Sequence, residues 1–106
     1  MFLELTLTPT ARKDLFEIAD SLSEYSERAA VRLTNQLERR MQLLCTSPKL
    51  GRFREDLLTG MRSVVVDKCV IYYIPTESEI QIIRVLHGAR NVHQAMFVFS
   101  PSDPPN

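Results

Sequence analysis

The chain lacks several features that would define its class at once. Its 106 residues include two cysteines and three glycines, and 13 basic residues are balanced by 13 acidic ones. Two cysteines, Cys45 and Cys69, are too few for a disulfide framework, so we expect both to be small buried hydrophobic side chains. Three scattered glycines form no phosphate-binding loop. The longest unbroken apolar run, Cys69 to Ile74, is far shorter than the ~20 residues that a membrane helix needs.

The balanced charge and the start of the chain exclude further classes. A dedicated nucleic-acid binder usually carries a basic excess, because phosphate neutralisation supplies most of its affinity; no direct nucleic-acid partner is therefore expected. The N-terminus has neither a basic segment nor a small-residue cleavage site, so we expect a cytoplasmic protein without membrane contact. The cysteines and histidines show no zinc-ligand spacing. The sequence predicts no metal and no cofactor.

The charges are nevertheless unevenly distributed along the chain. Residues 14–27 contain five acidic residues and no base, whereas residues 39–54 contain five basic residues and no acid. Two solvated faces that partly complement each other are one interpretation of this pattern. A basic surface that accepts an acidic partner is the other.

The first half of the chain has the signals of one strand and two helices. Apolar residues alternate over residues 2–7, which predicts a half-buried strand. Thr8 is a capping residue, and the apolar spacing that follows predicts a helix over Pro9–Glu24. Ser26 caps a second amphipathic helix, which ends near Cys45 or Thr46 because a proline follows. The short connection predicts an antiparallel helical hairpin.

The second half predicts a loop followed by three strands. Ser47–Gly60 has little periodicity and is expected to be a loop, whereas Met61–Val66, Cys69–Ile74 and Ile80–His87 have strand patterns joined by short turns. The middle strand is apolar on both faces and should be central. Arg84, inside the last strand, is expected to pair with an acid on an adjacent element. The fold class is α+β, in the order β-α-α-β-β-β, with both helices on one face of an antiparallel sheet.

Five segments in this order resemble one known family. They are Leu7–Leu15 at the first helix, Ser47–Arg52 in the loop, Gly60–Ser63 at the second strand, Tyr72–Pro75 at the end of the third, and Arg84–Arg90 at the end of the fourth. Over residues 3–91 the sequence resembles the RelE/ParE toxin superfamily of type II toxin–antitoxin systems, and specifically its ParE branch. The resemblance implies a single toxin domain, which we expect over residues 1–99. The proline- and serine-rich composition of residues 100–106 predicts a flexible tail.

The resemblance to the ParE branch also implies a function. It implies a toxin that inhibits DNA gyrase and so stops replication, that is not an enzyme, and that a cognate ParD-like antitoxin neutralises with an acidic segment. The alternatives are a ribosome-dependent mRNA endonuclease of the sister RelE branch and a non-toxic module that only binds a partner. Cleavage of mRNA by the RelE branch needs a general base, a cation and a general acid. Arg62, His87, Arg90 and His93 are its candidates here, although Met96 stands near the position where that branch has a tyrosine.

Two surfaces are expected to bind partners. The antitoxin should bind the basic stretch, because an acidic disordered segment can fold onto it; its candidate residues are Arg39, Arg40, Arg52, Arg54 and Arg62. The target should bind beyond the last strand, where an apolar segment rich in aromatic side chains and methionine follows an arginine. The candidate residues there are Arg90, Met96, Phe97 and Phe99. Packing of that segment on the sheet is the alternative interpretation.

Overall fold

The computed structural model describes residues 2–88, which form two helices and five strands. The elements are β1 (Glu4–Leu7), α1 (Pro9–Ser23), α2 (Glu27–Thr46), β2 (Arg52–Phe53), β3 (Arg62–Val66), β4 (Cys69–Pro75) and β5 (Glu79–His87). The predicted α+β class is confirmed, and the predicted helices and longer strands agree closely with the observed ones. Residues 89–106 lie outside the described part, so the predicted domain limit at residue 99 and the predicted tail stay predictions.

Both helices begin at the side chains that the sequence indicates. The Thr8 hydroxyl accepts a hydrogen bond from the Ala11 amide at 3.0 Å, and the Ser26 hydroxyl accepts one from the Ala29 amide at 3.1 Å. Each bond satisfies an N–H group that has no partner within its helix. Within residues 2–88, neither helix is long and apolar enough to cross a membrane.

The sheet differs from the predicted one in two respects. Its strand order is β1-β5-β4-β3-β2, and β1 pairs with β5 in parallel, so the sheet is mixed and not wholly antiparallel. This pairing joins the two ends of the described chain, and no local pattern reports such a contact. In addition, the predicted loop Ser47–Gly60 contains β2, whose two residues pair with Arg62 and Ser63 at the sheet edge. Two residues are too few for a recognisable alternation.

A carboxylate of α1 completes the edge of β5 where β1 stops. Pairing between the two strands ends at Leu7 and Ile82. Beyond that point Asp14 accepts a hydrogen bond from the Val85 amide at 3.0 Å and two from the Arg84 guanidinium at 2.8 and 2.9 Å. The predicted pairing of Arg84 with an acid on an adjacent element is therefore confirmed. The same contact fixes α1 against the sheet.

Apolar residues are buried on both faces of the sheet. On one face α1 and α2 pack against β3, β4 and β5 around Leu44, Ile71 and Tyr73, and Cys45 and Cys69 lie in this core as expected. The other face is covered by the segment between β2 and β3, whose Leu57 packs with Met61, Tyr72 and Leu86. The central position predicted for β4 is confirmed, since this strand contributes to both cores.

Candidate partner-binding surfaces

The loop after α2 is fixed to the sheet by one buried phenol. The Tyr73 hydroxyl accepts a hydrogen bond from the Gly51 amide at 2.8 Å and donates one to the Pro48 carbonyl at 2.9 Å. Burial raises the pKa of Tyr73, although the Gly51 amide and the Arg62 charge oppose that shift. The hydroxyl therefore keeps its proton at neutral pH and serves both loop groups.

Close packing leaves room for only a glycine at position 51. A Cβ atom there would lie 2.7 Å from the Ser63 carbonyl oxygen and 2.7 Å from the Tyr73 hydroxyl. Real Cβ atoms do not approach a backbone oxygen so closely, so a larger residue would push the loop away from β3. Gly51 thus brings the neighbouring basic residues against the sheet edge.

Arg62 also fastens this loop to the sheet. Its guanidinium donates to the carbonyl oxygens of Gly51 at 2.6 Å and Lys49 at 3.2 Å. Its Cζ atom lies 4.0 Å from the centre of the Phe53 ring, which is a cation–π contact. Arg62 therefore orders the loop and holds an exposed aromatic ring in place.

Arg54 is largely neutralised by a neighbour. Its guanidinium donates to both carboxylate oxygens of Asp56, at 3.0 and 2.9 Å, and lies over the Tyr72 ring at 5.7 Å. The hydrogen bond to Asp56 is the main reason that the pKa of Arg54 is raised. Arg54 therefore offers less free charge to a partner than the sequence suggested.

The structure brings together only part of the predicted antitoxin-binding set. Phe53 pairs directly with Arg62, and Arg52 is opposite Ser63. Because side chains alternate along a strand, Arg52 and Arg54 lie on the face away from the helices, and Phe53 and Arg62 lie on the helical side. We call the surface formed by Lys49, Arg52, Phe53, Arg54 and Arg62 the basic edge.

The two helical members of the predicted set lie on α2 and not on the strands or the loop of the basic edge. Arg39 is exposed on α2 and Arg40 is half-buried beside it. The five predicted arginines are therefore distributed over α2 and two sides of a sheet edge.

The two described members of the ribonuclease set are far apart. Arg62 pairs with Tyr73 near one end of β4, whereas His87 pairs with Cys69 at the other end. Four residues along the strand correspond to about 13 Å. His87 is exposed at this end of β4. It lines a groove of about 360 Å³ between α1 and β5, and Arg62 does not line this groove. These side chains do not converge on one reacting group.

Several predicted residues lie beyond the described part of the chain. Arg90 and His93, which were predicted for the ribonuclease set, lie within residues 89–106. Met96, Phe97 and Phe99, which were predicted together with Arg90 for target binding, lie there as well. Within residues 2–88 no group of three or more His, Cys, Asp or Glu side chains is placed to hold a metal ion. The absence of a cofactor stays a prediction.

Sequence reasoning missed one surface feature on the helices. A groove of about 520 Å³ lies between α1 and α2, and it is lined by the exposed Phe16 and Val31. Neither residue is among the buried positions of its helix. Large apolar residues off the buried stripe of an amphipathic helix were the signal that could have revealed this groove.

Comparison with known proteins identifies the family. The family model described as "ParE toxin of type II toxin-antitoxin system, parDE" matches residues 5–92. The chain therefore belongs to the ParE toxin family, and the predicted resemblance is confirmed. ParE-type toxins act by binding and not by catalysis, which agrees with the prediction that this chain is not an enzyme. A search of curated protein sequences finds no match.

Two solved structures have similar folds. A chain of the chromosomal ParDE TA system from P. aeruginosa has a TM-score of 0.70 and 20% identity, over 83% of this chain and 98% of that one. A chain of the E. coli DinJ-YafQ toxin-antitoxin complex has a TM-score of 0.54 and 15% identity, over 92% of this chain and 100% of that one. At these identities the comparison shows a shared fold.

Proposed function

We propose that this chain inhibits DNA gyrase in the cytoplasm as the toxin of a type II toxin–antitoxin pair, and that an acidic cognate antitoxin neutralises it. The family match over residues 5–92 carries the proposal. Both structural relatives come from toxin–antitoxin systems, which supports an antitoxin partner. The separation of Arg62 from His87 along the sheet favours gyrase inhibition over mRNA cleavage.

The antitoxin binds the basic edge in this proposal. Arg52 and Lys49 are exposed there, and neither forms an ion pair within residues 2–88. Arg62 positions the loop through the two carbonyl groups that it binds. Arg52 and Lys49 are therefore the residues whose charge an acidic segment should use most directly, because exposed charge steers association.

The sheet edge beside these charges suits an extended segment. β2 covers only the first two residues of β3, and no other strand of the described part pairs with the outer edge of Val64–Val66. The Val65 side chain at this edge is 66% exposed. Unpaired edge groups are a template for an added strand. An extended antitoxin segment could pair with β3 while its acidic side chains reach Arg52.

Parallel labelling of DNA and protein synthesis tests the proposed activity. The chain is expressed from a tightly regulated promoter, and both syntheses are followed by short pulses after induction. Gyrase inhibition predicts a fall in DNA synthesis while translation continues. A prompt fall in translation would instead support the ribonuclease alternative, and no effect on growth would support a non-toxic binding module.

Charge reversal tests the antitoxin surface. Arg52→Glu should slow association with the cognate antitoxin, by several-fold at low salt, and should reduce the salt dependence of that rate. Arg32→Glu is the matched control, since it makes the same charge change at an exposed position of α2. Equal association rates for the two variants would place the antitoxin elsewhere.

Target binding by Arg90, Met96, Phe97 and Phe99 also stays a proposal. A chain that ends after residue 90 should lose gyrase inhibition and keep antitoxin binding. Circular dichroism is the control, because a truncated chain that does not fold would indicate that the segment packs on the domain instead.

A further inference from the structure

The outer groove between α1 and α2 is apolar at its centre. Its lining includes Phe16 and Ala19 from α1 and Ala30 and Val31 from α2. Phe16 is 71% exposed and Val31 is 59% exposed. The buried positions of both helices are occupied by other residues, so the fold does not require a large apolar side chain at either site. Two such residues from different helices meet at one groove, which is the pattern of a binding surface.

The hydroxyl groups of the groove are already satisfied. The Ser23 hydroxyl donates to the Asp20 carbonyl at 2.8 Å, and the Thr34 hydroxyl donates to the Ala30 carbonyl at 2.8 Å. The charged groups that line the groove are the carboxylates of Asp20 and Glu27, and neither forms an ion pair within residues 2–88. The groove therefore offers an apolar centre with unpaired negative charge beside it.

We propose that this groove binds a basic, amphipathic helical segment of the toxin's target; the assignment to gyrase rests on the proposed function above. The groove between two antiparallel helices accepts the ridge of a third helix. Phe16 and Val31 contact the apolar face of that helix, and Asp20 and Glu27 pair with its basic residues.

The charge of the groove favours the target over two other occupants. An acidic antitoxin segment would be repelled by Asp20 and Glu27, whereas the basic edge attracts it. A second copy of this chain, packed groove against groove, would offer Asp20 and Glu27 no basic residue from its own groove lining. A basic partner gains charge pairs as well as apolar burial.

Binding of purified gyrase holoenzyme to the full-length chain tests the proposal. Phe16→Ala and Val31→Asp should each weaken binding by about tenfold or more, as expected for the centre of an interface. Leu43→Asp is the matched control for Val31→Asp, because Leu43 is an exposed aliphatic residue of the same helix, 46% exposed, and does not line the groove. It should change affinity by less than about twofold.

A charge variant tests the groove independently. Asp20→Lys leaves the apolar centre intact, and it should slow association with gyrase and reduce the salt dependence of the rate. Circular dichroism is the control for folding. We expect each variant to be folded, because all the altered side chains are exposed.

Different failures have different meanings. If wild-type protein binds gyrase and the groove variants bind equally well, the groove proposal is wrong and the proposed function stands. If wild-type protein does not bind gyrase, both are wrong. If the groove variants lose antitoxin affinity or self-association while gyrase binding is unchanged, the groove belongs to that other occupant and the proposal is also overturned.

Discussion

Removal of one hydroxyl group should detach the basic edge from the sheet. In Tyr73→Phe the ring remains, and the Gly51 amide and the Pro48 carbonyl lose their partner. Gly51 is buried, so its amide cannot regain a hydrogen bond from water without movement of the loop. An unsatisfied buried donor costs about 1–3 kcal/mol, and the lost bond to the carbonyl adds about 1 kcal/mol. We therefore expect a loss of about 2–4 kcal/mol in the free energy of unfolding.

Urea denaturation measures this loss, with Tyr72→Phe as the matched control. A loss of this size should lower the midpoint by about 1–2 M urea without a change in slope. Tyr72 is the adjacent tyrosine and is also buried, at 4% exposure, but within residues 2–88 no backbone group is hydrogen-bonded to its hydroxyl. A loss below about 0.5 kcal/mol, or an equal loss in the control, would refute the reasoning.

Three further changes test the packing of the fold. Gly51→Ala should destabilise the chain by about 1–3 kcal/mol in urea denaturation, because the new methyl group meets the Ser63 carbonyl oxygen. Asp14→Ala should cost about 3 kcal/mol in the same assay, since it removes the carboxylate that accepts hydrogen bonds from the Arg84 guanidinium and the Val85 amide; Asp14→Asn, which keeps an acceptor oxygen, should cost less. Burial, with a smaller effect of the Asp67 charge, raises the pKa of the Cys69 thiol from 9.0 to about 11. The folded state therefore holds this proton more tightly than the unfolded state, and wild-type stability should fall between pH 9 and about 11 by up to about 1.4 kcal/mol per pH unit. Cys69→Ala should lack this part of the slope in denaturation curves measured across that range.

The parts of the fold that local patterns control were predictable from the sequence. Thr8 and Ser26 cap their helices because each bond joins residues three apart in the chain, and such signals are visible in a short window. The parallel pairing of β1 with β5 joins residues more than seventy positions apart, as Leu7 and Ile82 show. Nothing within either segment determines that pairing.

The candidate surfaces were predictable in composition but not in arrangement. The sequence identified Arg52, Arg54 and Arg62 as basic, and only the structure shows which of them is exposed and which is engaged. Arg62 donates hydrogen bonds to the carbonyl groups of residues 11 and 13 positions earlier in the chain. The buried phenol of Tyr73 contacts an amide 22 positions away. Interactions at such separations depend on the assembled sheet.

Supercoiling of relaxed plasmid by purified gyrase tests the proposed activity most directly. The full-length chain, added in increasing amounts, should inhibit supercoiling, and addition of the cognate antitoxin should restore it. The same preparation should leave mRNA intact on translating ribosomes. Unimpaired supercoiling together with cleavage of ribosome-bound mRNA would contradict the account and would assign this chain the chemistry of the sister branch.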